Sequence, residues 1–155
     1  MADTNGLVGP GRLLPDRRWL SVWQPEGRYG SWGGKWLLFP EPAVLSYAWQ
    51  LIAEATLAGQ LGPKSEARTC GNLIRVYTGD HRDLADVSRV LAELRALGFR
   101  QRIIYKEDFA EMLGTHEALY CSQQNSSEVQ QLRVSEAVRI WGPAGSPAVA
   151  GPERG

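Results

Sequence analysis

Between Gly33 and Lys106 the chain alternates short strand-like runs with longer helical ones, and this rhythm limits the possible folds more than any other feature. The strand runs are Lys35–Phe39, Leu73–Thr78 and Arg102–Lys106, with a weaker one at Ser65–Cys70. Successive side chains of an extended run point to opposite faces. That alternation puts Trp36 with Leu38, Ile74 with Val76, and Ile103 with Tyr105 on one apolar face of each strand. The opposite face receives Lys35, Arg68, Arg75, Tyr77, Arg102 and Lys106.

The intervening segments read as helices. From Ala43 to Leu61, Val44, Ala48, Leu51, Ile52 and Ala55 recur at helical spacing, and Gly62-Pro63 is expected to end the element. The second helix carries Val87, Val90, Leu91, Leu94 and Leu97 on one stripe. Gly98 stands where a C′ glycine belongs, and Asp80 or Asp83 can cap the start. Helices apolar on one side only must cover one side of a sheet. The chain therefore predicts an α+β fold: a curved, mostly antiparallel sheet with two main helices packed on one face. Further strands are expected at Trp19–Trp23, His116–Ser122 and Glu136–Trp141, with a short helical turn at Glu107–Leu113. Gly- and Pro-rich ends suggest a flexible arm over 1–17, a single domain over 18–141 and a disordered tail over 142–155.

Composition narrows the function classes. Seventeen basic and seventeen acidic residues cancel, so no global field draws in duplex nucleic acid or an anionic membrane. No apolar run is long enough to span a bilayer, and the first residues lack a signal-peptide pattern, which reads as cytoplasmic. Cys70 and Cys121 have no metal-ligand spacing and are expected to be free thiols; neither a metal nor a cofactor is expected.

The cations are the candidate binding set. Arg-rich clusters match phosphate oxygens through bidentate guanidinium contacts, so Lys35, Arg68, Arg75, Tyr77, Arg102 and Lys106 are assigned to a phosphorylated ligand. Such a ligand is a nucleotide-like small molecule or a phosphopeptide. The plain alternative is an exposed sheet face whose cations pair with Glu66, Glu107 and Asp108. Trp32, in the glycine-rich bend Tyr29–Gly34, is the candidate stacking platform, whereas Trp36 and Trp49 fall on core faces. For catalysis, Lys106 as base with His116 or His81 as acid is the pairing capable of a β-elimination. No nucleophile elbow, Walker loop or zinc ligand set is present. A third alternative is a protein-interaction domain without a small-ligand site.

The stretch Gly33–Phe39, Trp49, Leu73–Thr78, the helix Asp86–Leu97 and Ile104-Tyr105-Lys106 resemble the second half of the cap-binding translation initiation factor 4E fold. Within that superfamily they resemble more closely the basophilic-leukaemia-expressed family, whose members carry a phosphothreonine lyase label. The resemblance implies a ligand site on the concave face of the sheet, with Trp32 near a base-sandwich position. It also implies phosphate-holding roles for Arg75, Arg102 and Lys106. Gly33 stands where the cap-binding pattern has a Trp-Glu pair. The lyase label implies phosphate elimination by a lysine base and a histidine acid.

Overall fold

The computed structural model describes residues 20–68, 70–114 and 117–132. Its core is a curved, open sheet of seven strands. They are β1 (Leu20–Trp23), β2 (Gly34–Leu38), β3 (Lys64–Arg68), β4 (Leu73–Thr78), β5 (Ile103–Glu107), β6 (Tyr120–Ser122) and β7 (Gln130–Gln131). Their order across the sheet is β1-β3-β4-β2-β5-β6-β7, and every neighbouring pair is antiparallel. The helices are α1 (Leu45–Leu57), α2 (Leu84–Ala96) and the single-turn α3 (Asp108–Met112). The protein is α+β, as the alternation of patterns predicts.

One face of the sheet carries the main core. Trp36, Leu38, Ile74, Val76, Ile103 and Tyr105 meet Trp49 and Ile52 of α1 and Val87, Leu91 and Leu94 of α2 in one buried cluster. Trp36 is fully buried, and its indole N–H donates to the Val87 carbonyl at 3.2 Å, tying the central strand to α2. Leaving that N–H unpaired in the core would cost about 1–3 kcal/mol.

Helix ends follow backbone chemistry rather than the strongest-looking sequence signal. Asp83 caps α2, its Oδ1 accepting from the Asp86 N–H at 3.2 Å. Gly98, at φ 105°, closes α2 with paired bonds from Phe99 N to Leu94 O and from Gly98 N to Arg95 O. The same arrangement ends α1 at Gly59, φ 80°, three residues before the expected Gly62-Pro63 stop. Gly62 does a different job. A Cβ there would lie 1.7 Å from the Tyr77 carbonyl oxygen, so the residue lets two backbone segments touch. At its other end α1 starts at Leu45, after a 3-10 turn at Pro42–Val44.

Three strand expectations shift. The weak run is ordered as Lys64–Arg68, one residue earlier than expected and ending before Cys70. β6 is confined to Tyr120–Ser122, and the polar pair Gln130–Gln131 adds a seventh strand that nothing in its composition announces. Trp19, His116, the Glu136–Trp141 strand and both terminal segments lie outside the described residues. Cys70 is exposed and Cys121 is buried. Among the described residues, no helix is long and apolar enough to cross a membrane.

Candidate functional site

The second face of the sheet is built in rows. Register places Trp23 opposite Lys64, and Lys35 opposite both Tyr77 and Lys106. One row therefore crosses five strands as Trp23, Lys64, Tyr77, Lys35 and Lys106. The next row runs Ser21, Glu66, Arg75, Leu37, Ile104 and Cys121. The pleat accounts for both: residues directly opposite one another on neighbouring strands share a face.

Two tyrosines pack against the glycines that precede Lys35, one on each face of β2. A Cβ on Gly33 would lie 2.6 Å from the Tyr29 ring, and one on Gly34 would lie 2.4 Å from the Tyr105 hydroxyl. The diglycine thus lets β2 run beneath a ring on each side. Tyr29 meets Tyr77 edge to face at 5.5 Å and Trp23 at 6.3 Å. The Lys64 ammonium sits between the Trp23 and Tyr77 rings, 4.8 and 4.7 Å from their centroids.

Helices are not confined to the core side of the sheet, because α3 folds over this face directly after β5. It brings acids, not apolar cover: α3 buries none of its residues. Lys35 Nζ donates to Asp108 Oδ1 at 2.6 Å and makes a second, very close contact with Glu111 Oε1. Glu111 Oε2 faces Arg75 at 3.5 Å and Lys106 Nζ at 3.9 Å. Arg75 also lies 3.5 Å from Glu66 Oε1, and the Tyr77 hydroxyl donates to that same oxygen at 2.9 Å. Lys35 and Lys106 are each only 1% exposed.

Burial sets the proton affinities. It holds the Lys35 and Lys106 ammonium groups below their ordinary value, with the Glu111 carboxylate opposing the shift in both. Burial, then the neighbouring Glu111 charge, push the Asp108 carboxyl up to about 7 even though Lys35 lies against it. In Glu111 burial works upward but loses to the Lys35 hydrogen bond and the surrounding cations, so this carboxylate stays below its usual range. Burial and Glu66 raise the Tyr77 phenol and keep it protonated.

The structure brings together Lys35, Arg75, Tyr77 and Lys106 from the sequence candidates. Arg68 and Arg102 stand apart. Arg102 lies four residues from Lys106 along the chain, roughly 13 Å at the rise of a strand, and is exposed. Arg68, one row beyond Arg75, donates from Nε to the Cys70 carbonyl at 2.7 Å. Leu37, Leu73, Ile104, Ala118 and Cys121 form a second apolar cluster on this side of the sheet. Trp32 is half-exposed and belongs to the rim where β2 begins. Its carbonyl accepts from the His81 backbone N–H at 2.7 Å, and Arg82 stacks 4.0 Å over its ring. His81 in turn sits 3.3 Å from Glu107, not beside Lys106. His116 lies outside the described residues.

Residues 28–114, more than half of the chain, match the family model described as Basophilic leukemia-expressed protein Bles03. The chain belongs to that family. The Bles03 match contains Lys35, Glu66, Arg75, Tyr77, Lys106, Asp108 and Glu111, so the whole ionic cluster lies inside the family region. Trp23 lies outside it.

Sequence reading overlooked Glu111, Lys64 and the ring pair of Trp23 and Tyr29. Glu111 had one legible signal: on a helical turn it falls three residues after Asp108, which places both carboxylates on one side. Lys64 follows Gly62-Pro63 and looks like loop until β3 is known to start there.

Proposed function

We propose that this protein is a small cytoplasmic binding protein for a phosphorylated ligand, nucleotide-like or phosphopeptide, seated on the cationic face of the sheet. One observation carries the reading: Lys35, Arg75 and Lys106, from three adjacent strands, all face the single carboxylate of Glu111. Like charges on facing strand positions repel, so such an arrangement is unfavourable without an anion among them. Here the anion is supplied from α3, a one-turn helix with no buried residue to anchor it. The likeness to the cap-binding translation initiation factor 4E fold, with its concave ligand face, supports the same side of the sheet. Trp23 and Tyr77, already stacked on Lys64, lie in the same row as Lys35 and offer aromatic surface for the rest of the ligand.

The test is a thermal-shift titration of the full chain with nucleoside phosphates and with phosphothreonine peptides. One class is expected to raise Tm, by about 2.7 kcal/mol of added stability at a hundredfold excess over Kd. Added salt weakens the response, and Arg75→Ala removes it. A rise that survives Arg75→Ala, or no rise with either class, overturns the proposal.

A further inference from the structure

The way the three cations share Glu111 says what kind of anion they suit. A carboxylate has two oxygens. One is engaged closely by Lys35, which leaves the other to Arg75 at 3.5 Å and Lys106 at 3.9 Å. Charge-assisted contacts close to roughly 2.7–2.9 Å when geometry permits. Glu111 therefore meets Lys35 closely and the other two cations at longer range, Arg75 also facing Glu66 and the Tyr77 hydroxyl. A group with three terminal oxygens on a tetrahedral centre offers one to each of three donors.

Charge points the same way. Among the described residues, the two rows hold Lys35, Lys64, Arg75 and Lys106 with Glu66, and α3 adds Asp108 and Glu111, a formal balance of one positive charge with every group ionised. Withdrawing Glu111 raises it to two.

Resting on the function proposed above, we infer that the site takes a dianionic phosphomonoester in the place of the Glu111 carboxylate, with α3 as a built-in competitor. A phosphodiester offers two terminal oxygens and one charge. A sulfate monoester offers three oxygens but one charge. Entry requires α3 to lift away, which exchanges the Glu111 contacts with Lys35, Arg75 and Lys106 for those of the incoming group. Phe109 and Met112 of α3, and Leu113 just after it, are exposed, and Gly114 follows at φ 86°. The Asp108 N–H donates to the Gly33 carbonyl at 2.9 Å, at the first residue of the turn.

The experiment titrates the full chain with methyl phosphate, dimethyl phosphate and methyl sulfate at constant ionic strength, following Kd by NMR chemical-shift perturbation. Methyl phosphate is expected to bind at least about tenfold more tightly than the other two. Glu111→Gln is expected to tighten methyl phosphate binding by about fivefold or more, because the competitor has gone. Equal affinities for the three probes, all abolished by Arg75→Ala, overturn the monoester assignment and leave phosphate-face binding intact. Unchanged or weakened methyl phosphate binding in Glu111→Gln overturns the shared seat. If no probe binds either protein and nucleotides and phosphopeptides also fail, both readings fall. The comparison of probes in the unmodified protein requires no variant to fold.

Discussion

Replacing Lys35 with methionine removes the ammonium that Asp108 and Glu111 both contact, while keeping a similar side-chain volume in the sheet. Breaking a buried ion pair from one side costs roughly 3–5 kcal/mol, because the abandoned charge stays desolvated. The two carboxylates keep 25% and 33% of their side-chain exposure, and Glu111 retains Arg75 and Lys106. Solvent and these remaining partners reduce the expected loss to about 2 kcal/mol. For a domain of this size that corresponds to a fall in Tm of roughly 6–10 °C. The triple variant Lys35→Met/Asp108→Asn/Glu111→Gln removes both stranded carboxylates but takes Glu111 from Arg75 and Lys106, and is expected to recover only part of the loss. Urea denaturation followed by tryptophan fluorescence measures both. A single variant within about 0.5 kcal/mol of the parent would show that the cluster is solvated rather than desolvated. A triple variant as unstable as the single would show that the ion pairs hold the fold itself. Recovery of stability with loss of the ligand response would separate the cluster's binding role from folding.

Other outcomes follow from the same geometry. Asp108, at about 7 when folded against 3.8 in its ordinary state, binds its proton more tightly in the native protein, so stability falls as pH rises from about 4 to 7. Asp108→Asn is expected to flatten that slope in urea titrations at pH 5 and pH 7.5; an unchanged slope refutes the assignment. Glu111, held below its usual range, contributes stability that is lost as pH falls below about 4.5. Arg95 donates to the Phe99, Gln101, Gln123 and Ser126 carbonyls at 2.7–2.9 Å, joining the end of α2 to the β6–β7 loop. Arg95→Met strands those acceptors and is expected to cost about 3 kcal/mol or more by chemical denaturation, whereas a loss under about 1 kcal/mol shows that water replaces the guanidinium. Gly62→Ala forces a Cβ into the Tyr77 carbonyl and is expected to abolish soluble expression or lower Tm by more than about 10 °C; a near-native Tm shows that the α1–β3 loop yields.

Strand faces were legible because the pleat has a fixed period: Lys35, Arg75 and Lys106 alternate with core residues in their own strands, and the register needs only one correct pairing to align them. The α2 boundaries were legible for the same local reason, Asp83 and Gly98 being chemically suited to their backbone positions. The end of α1 was not, since Gly59 and Gly62 look alike in sequence and only the close approach to Tyr77 separates their roles. Arg68 and Arg102 show a further limit. They share a face with the others, but distance along the strand separates them from Lys106 and Lys35, and a period of two carries no information about how far apart two side chains lie. Glu111 was hidden because whether a single turn folds back over a sheet depends on tertiary contacts with Lys35 that its five residues do not encode.

The place of β2 in the middle of the sheet has a consequence for how the protein is made. Its partners are β4, completed at Thr78, and β5, completed at Glu107, so a chain leaving the ribosome carries Trp36 and Leu38 with both edges open until each arrives. The β3–β4 hairpin closes over only a few residues and is the cheapest pairing to form first, since loop entropy grows with separation. A stalled product ending before Ile103 would present a half-built layer with one raw edge, the form of this molecule best suited to capture by chaperones or to self-association.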